Sequence, residues 1–178
     1  MNRKAGAVAF RPAWRWMAVV AAAFTGLSVP ACSGGNPVSK PTMTQQHATT
    51  RAQQILRETA DAITPPPTLE INNLLSGTGP CLAESSDSDK QVQVALSYWL
   101  RGIPPRENAD IGRQILHYWK HKGYAITSTK GVGTGSPTIA GGTVSDDFLI
   151  SLQTSSNGTM FIGTTSPCIW PHGTPPPS

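Results

Sequence analysis

Gln91-Val92-Gln93-Val94-Ala95-Leu96-Ser97-Tyr98-Trp99-Leu100 is the stretch that decides the fold. Val92, Val94, Leu96, Tyr98 and Leu100 alternate with Gln91, Gln93, Ala95, Ser97 and Trp99 in an unbroken period of two. Successive side chains of an extended chain point to opposite faces, so this is a strand with one core face and one wetter face. Gly102-Ile103-Pro104-Pro105 ends it.

Working outward, a helix is expected on each side of this strand. Before it, Ala52, Ile55, Leu56, Thr59 and Ile63 recur at helical spacing over 50–63. Thr50-Arg51-Ala52-Gln53 has the form of a capping box at the start, and Pro65-Pro66-Pro67 is a stop. After the strand, Ile111, Ile115, Tyr118 and Trp119 mark a helix over 109–122. Asn108 stands at its expected N-cap and Gly123 just past its end. Lys120, His121 and Lys122 suit the negative end of its dipole. A short strand is expected from Leu69 toward Leu75, followed by a turn at Gly77-Thr78-Gly79-Pro80, and three more strands at 124–130, 147–154 and 159–165. The last two are joined through Asn157-Gly158, a strong hairpin signal. The expected fold is α+β: two helices on one face of a mostly antiparallel sheet of about five strands, in the order α-β-β-α-β-β-β.

Charge narrows the partners. The chain has 178 residues, with Lys+Arg 14, Asp+Glu 10 and a formal net charge of +4. Four of the cations, Arg3, Lys4, Arg11 and Arg15, lie within 1–31, a stretch with no acid. The remaining residues carry ten cations and ten acids and are formally neutral. Such a chain has no excess of positive charge to hold phosphates, so nucleic acid is not an expected partner. The length is enough for one domain with a real core.

The four N-terminal cations precede an apolar stretch from Trp16 to Val29, shorter than the roughly 20 residues a spanning helix needs. It fits the h-region of a signal peptide. It ends in Val29-Pro30-Ala31-Cys32-Ser33-Gly34-Gly35. A small residue before a cysteine at this place resembles the lipobox of bacterial lipoproteins. The resemblance implies cleavage before Cys32 and a diacylglyceryl group on its sulfur, with the membrane as partner. Two acyl chains hold a protein to a bilayer stably where one does not. Residues 1–31 are then signal peptide, 32–46 the lipidated cysteine and a polar tether, 47–171 the domain, and 172–178 a Pro-rich tail with no regular structure.

With Cys32 lipidated, Cys81 and Cys168 remain, and export favours their pairing as a disulfide. A free thiol nucleophile is the rival reading, but an exported thiol tends to oxidise.

Other residues invite chemistry. His117 and His121 stand four apart on the second helix, a spacing that can bring two imidazoles to one metal. The glutamate of a zinc-protease helix is missing and two ligands are not a site, so no metal and no cofactor is expected. Gly131-Val132-Gly133-Thr134-Gly135-Ser136-Pro137 lacks the third glycine of a dinucleotide loop, the lysine of a P-loop and the pattern of a nucleophile elbow, and reads as a strand connection. Trp99 beside Arg101, and Trp170 two residues past Cys168, would form a binding surface if exposed together.

Tyr98-Trp99-Leu100-Arg101-Gly102-Ile103-Pro104, Tyr118-Trp119 ahead of Gly123, and Ser166-Pro167-Cys168-Ile169-Trp170-Pro171 resemble segments of exported actinobacterial lipoproteins. More distantly, the layout over 47–171 is similar to the mycobacterial LppA-type lipoproteins. The resemblance implies location and architecture and brings no catalytic residue. The expectation is a lipid-anchored, extracytoplasmic, non-enzymatic module that binds a protein or another envelope component at the outer face of the plasma membrane. A cell-envelope hydrolase and a carrier of lipid or another apolar molecule are the alternatives.

Overall fold

The computed structural model describes residues 41–81 and 90–176. The signal segment, Cys32, the tether up to 40, the acidic loop residues 82–89 and residues 177–178 lie outside the described residues. In chain order the elements are α1 (Gln45–Asp61), β1 (Thr68–Ile71), β2 (Gly77–Pro80), β3 (Val92–Arg101), α2 (Asn108–His121), β4 (Ala125–Lys130), β5 (Thr138–Gly142), β6 (Leu149–Thr154) and β7 (Met160–Thr165). A 3-10 turn, Pro105–Glu107, leads into α2.

The class is α+β, with two helices and antiparallel pairing along the sheet. The strand count and order depart from expectation. The sheet has seven strands, ordered β1-β3-β7-β6-β5-β4, with β2 also on β3. Along the chain the order is α-β-β-β-α-β-β-β-β.

The two unforeseen strands have compositions that hide them. β2 is Gly77-Thr78-Gly79-Pro80, which reads as a turn, but it is an edge strand, where proline and glycine are tolerated. β5 ends in Gly141-Gly142. A Cβ on Gly141 would lie 2.6 Å from the Ala125 carbonyl oxygen, so glycine is what allows β4 and β5 to close up there. The Asn157-Gly158 hairpin forms with Ser155 N–H donating to Thr159 O, and only Gly158 takes positive φ (84°).

The strand β3 organises the rest. Val94, Leu96 and Leu100 face the core with Ile150 and Leu152 of β6, Met160 and Ile162 of β7, and Ile139 of β5. α1 lies against β3 and β7, and α2 against β4 and β5. Ala48, Ala52, Ile55, Leu56, Ile111, Ile115 and Trp119 complete this core. Each large apolar side chain buried here contributes roughly 1.5–3 kcal/mol.

α1 begins at Gln45, ahead of the expected capping box. Thr44 is the N-cap and accepts from His47 N–H at 3.2 Å, which places Thr50 inside the helix. The apolar stripe runs back one turn to the buried Ala48, too small to stand out in the sequence. At the start of α2, Asn108 is buried and caps nothing. Its Nδ2 donates to the carbonyls of Gly135 (3.0 Å) and Gly158 (2.8 Å), tying the glycine-rich connection to the β6–β7 hairpin. The end of α2 matches expectation. Gly123 (φ 76°) and Tyr124 return N–H donors to Lys120 and Trp119 carbonyls, a Schellman closure.

The two helices are locked by polar contacts. Trp119 Nε1 donates to Thr59 Oγ1 at 3.0 Å in the interior. Glu58 receives Gln54 Nε2 at 2.8 Å and Lys122 Nζ at 3.0 Å. These donors hold its carboxyl below the usual carboxylate range.

The ends of the domain meet. Thr42 N–H donates to Gly173 O at 2.8 Å, Gln45 N–H to Pro171 O at 3.1 Å, and Trp170 N–H to Thr42 Oγ1 at 2.8 Å. Residues 42–46, read from sequence as tether, and 172–173, read as tail, therefore belong to the folded unit. The buried Trp170 holds this junction down and Gly173, with positive φ, turns the chain beside Thr42.

Candidate functional site: an uncovered groove on the sheet

The helices occupy one face of the sheet, and the opposite face carries a groove of about 700 Å³. Its origin lies in the strand pairing. β1 pairs with β3 from Arg101 to Tyr98, and β2 with β3 from Ala95 to Val92. They form a single edge strand interrupted by residues 72–76, five residues standing opposite only Leu96 and Ser97. The ladder is completed there by other donors and acceptors. Asn72 N–H donates to Ser97 O at 2.9 Å, and Ser97 N–H donates to Ser76 Oγ at 3.0 Å. The surplus chain stands away from the sheet as a lip bearing Leu74 and Leu75, both exposed, Leu74 at 93%.

The floor is made of small side chains. Ala95 and Ser97 come from β3, Gly163 and Thr165 from β7, Ser151 from β6 and Ala140 from β5. They leave a trough because the alternating pattern assigns the bulky members of each strand to the helix side. A Cβ on Gly163 would sit 3.3 Å from Ser151 Oγ and would begin to fill it. The walls are apolar: Leu74, Leu75, Leu149 and Phe161. Among the described residues, five large apolar side chains are exposed (Ile71, Leu74, Leu75, Val144, Leu149), and three of them line this groove.

Among the described residues, none that lines the groove is an acid, a base, a cysteine or a tyrosine. The polar groups are hydroxyls and the amide of Gln153. The groove therefore offers neither a general acid–base pair nor a charge for an ionic ligand, and suits an uncharged, mainly apolar one.

The residues singled out from sequence fall in several places. Trp99 and Arg101 lie on the same sheet face as Ala95 and Ser97, just past the groove. Trp99 meets Phe161 edge-to-face, with ring centroids 5.1 Å apart, and the Arg101 guanidinium lies 5.2 Å from the Trp99 ring. Arg101 also makes a two-pronged contact to Glu70, 3.0 Å in each arm. Trp170 does not join them. It is buried in the core, 1% exposed, because the Val92–Ile169 bridge draws its segment into the interior. The expected surface of Trp99, Arg101 and Trp170 reduces to its first two members.

His117 and His121 are brought together on α2, rings parallel and 6.5 Å apart. They line a shallow depression of about 500 Å³ with Arg113, Gln114 and Tyr118. Among the described residues, no group of three or more His, Cys, Asp or Glu is placed to hold a metal ion. Gly131–Pro137 packs on α2: a Cβ on Gly112 would lie 2.7 Å from Pro137 Cβ. Cys81 and Cys168 stand at disulfide distance, with Cα atoms 5.6 Å apart, which joins the end of β2 to the segment after β7.

Sequence reading missed the groove, though its signal was present. The central outward positions of three strands (Ala95 and Ser97, Gly163, Ser151) are small or hydroxylated, and Leu74-Leu75 is an apolar pair stranded between polar turn residues. No described helix is long and apolar enough to cross a membrane. No family model, curated protein or solved structure matches the chain.

Proposed function

We propose that the chain is an exported lipoprotein held at the outer face of the plasma membrane through Cys32, and that its domain is a binding module for an uncharged, largely apolar envelope component. The observation that carries the binding reading is the 700 Å³ groove with apolar walls and, among the described residues, no ionisable lining side chain. That volume is in the range of small-molecule sites, roughly 300–1,000 Å³. The groove lies on the face opposite the helices. The space beneath the helices, where a carrier cavity would be expected, is filled by the core. Support for the anchor comes from the positive segment, the apolar stretch and the small residue before Cys32. Cys81 and Cys168 at disulfide distance fit an oxidising compartment.

The test is native mass spectrometry of the lipidated protein taken gently from its own membranes. A species heavier than the covalent mass is expected, and Gly163→Leu, which fills the floor, loses the extra mass. Retention of the same mass by that variant, or no extra mass in the wild type, overturns the binding reading. For the anchor, Cys32→Ala releases the protein into the medium or blocks its processing, and unchanged membrane retention overturns that part.

A further inference from the structure

We infer that the occupant of the groove is a single hydrocarbon tail of a membrane lipid, threaded across the strands with its leading end toward β4 and its head group left outside near the Leu74 lip. The inference rests on the binding reading above and adds the ligand's class and its direction.

Three observations converge on a tail. The first is hydrogen bonding. Across β3, β7, β6 and β5 the backbone donors and acceptors under the groove are used in ladders on both sides. At the one interruption, Ser76 and Asn72 supply the missing partners to Ser97. An extended peptide lying here would bury its own amides against side chains with few partners, at a large desolvation cost. A hydrocarbon chain has no amides to satisfy.

The second is shape. The lining runs from Thr78 on β2, over β3, β7, β6 and β5, to Thr127 on β4. Five inter-strand steps of about 4.8 Å make the trough roughly 24 Å long. Spread over that length, 700 Å³ corresponds to a mean cross-section of about 30 Å². That is a long, thin trough open to solvent, the shape of an extended chain rather than of a compact ligand.

The third is position relative to the anchor. Gln45, in the first turn of α1, donates from Nε2 to Thr78 Oγ1 at 3.2 Å. The N-terminal chain thus meets β2, the edge strand that borders the Leu74–Thr78 end of the groove, from the helix side of the sheet. Thr42, the first of the described residues to bond into the domain, is ten residues beyond Cys32. Ten residues span at most about 33–36 Å even when fully extended. A lipidated Cys32 would therefore keep this edge of the domain within about 36 Å of the bilayer surface.

The experiment uses the full lipidated protein in phosphatidylcholine vesicles doped with a phosphatidylcholine carrying a photoactivatable diazirine. One probe has the diazirine at the tail terminus and another has it next to the head group. Illumination and peptide mapping should place the tail-terminal label on the β4–β6 segment that carries Thr127, Ala140 and Ser151, and the head-proximal label on the peptide with Leu74 and Thr78. Leu74→Asp should lower groove labelling by roughly tenfold or more, because the tail would have to pass a charge that resists desolvation. Leu74 is 93% exposed, so this variant keeps the fold. Unlabelled groove peptides, equal labelling in Leu74→Asp, or reversed positions of the two labels would overturn the inference. If the groove stays unlabelled while the natural extra mass is still lost in Gly163→Leu, the tail is wrong and the binding reading stands. If that mass is also absent, both fall.

Discussion

The two faces of the sheet are built from the same strands and differ in almost every physical respect. On β6, Ile150 and Leu152 point to the helices, whereas Leu149, Ser151 and Gln153 point away. On β7, Met160 and Ile162 are core, and Phe161, Gly163 and Thr165 face the groove. The helix face is filled by branched and aromatic side chains. The opposite face is floored by alanine, glycine, serine and threonine and walled by leucine and phenylalanine. An ordinary solvated sheet back carries long charged side chains, which cover apolar surface and blunt association. Here charge begins only beyond the groove, where Arg101 sits between Trp99 and Glu70. The contrast is between a face packed tightly by the helices and a face whose small side chains leave a trough.

The largest expected effect tests whether the groove wall depends on a covalent tie. Cys81 and Cys168 join β2, which forms one wall, to the chain after β7, across 87 positions. Closing a loop of that size removes about 4–5 kcal/mol of unfolded-chain entropy in the loop-closure account. Replacing both cysteines by serine should lower the urea-unfolding free energy by about that amount. Neither thiol should react with a labelling reagent before reduction. Reagent uptake without reduction, or a loss smaller than about 1 kcal/mol, would remove the tie from the account.

The next effect compares adjacent residues on one strand. Leu152→Ala cuts a fully buried side chain and should cost about 2–5 kcal/mol, while Ser151→Ala on the groove floor should change stability by no more than about 0.5 kcal/mol. Ligand content should respond to the groove side of the strand. Equal costs for the two would mean that the outer face is also structural.

How much of this could be read from the chain follows from which signals are local. The alternation in β3 and the stripe from Ile111 to Trp119 were legible because each is a periodicity within a single element. The strand β2 was not, because Thr78 is the one β-forming side chain in Gly77-Thr78-Gly79-Pro80, set among two glycines and a proline. What makes it extended is the free edge of β3, a tertiary fact. The same holds for Gly141, whose value lies in the approach of Ala125. The pairing of Cys81 with Cys168 was within reach because, with Cys32 set aside as the expected lipid anchor, the two cysteines left have only each other as partner. The groove was harder. Its floor draws one or two residues from each of four strands, and its lip exists only because β1 and β2 share an edge with a five-residue excursion between them. Trp170 misled for a related reason: its place in the core comes from the Val92–Ile169 bridge, which nothing nearby in the sequence announces.

The smallest effect concerns the ion pair that fastens the helix layer to the β5–β6 turn. Arg51 Nε lies 2.6 Å from Asp146 Oδ2, and both side chains are about four-fifths buried, with exposures of 22% and 20%. Burial alone would push the Asp146 carboxyl upward. The hydrogen bonds from Arg51 and from Thr143 Oγ1 together outweigh it, so the group titrates below its ordinary value. Thr143 Oγ1 in turn accepts Phe148 N–H at 2.9 Å, so the carboxylate also sets the turn that delivers Phe148 to the core. A carboxyl with a depressed folded-state pKa contributes stability above its unfolded pKa, near 3.9, and loses it as pH falls through the lower folded value. Asp146→Asn should therefore cost about 1–2 kcal/mol at neutral pH, the scale of a partly buried charge-assisted pair. The gap between wild type and variant should stay constant from neutral pH down to about 5 and begin to narrow near the unfolded value. It should close as pH falls through the lower folded value, where the wild-type carboxyl becomes protonated and neutral like the amide. Melting curves of the two proteins across that range would show it. A gap that persists at low pH would assign the cost to the turn's hydrogen bonds and take it away from the charge, and the helix layer would then be held by packing alone.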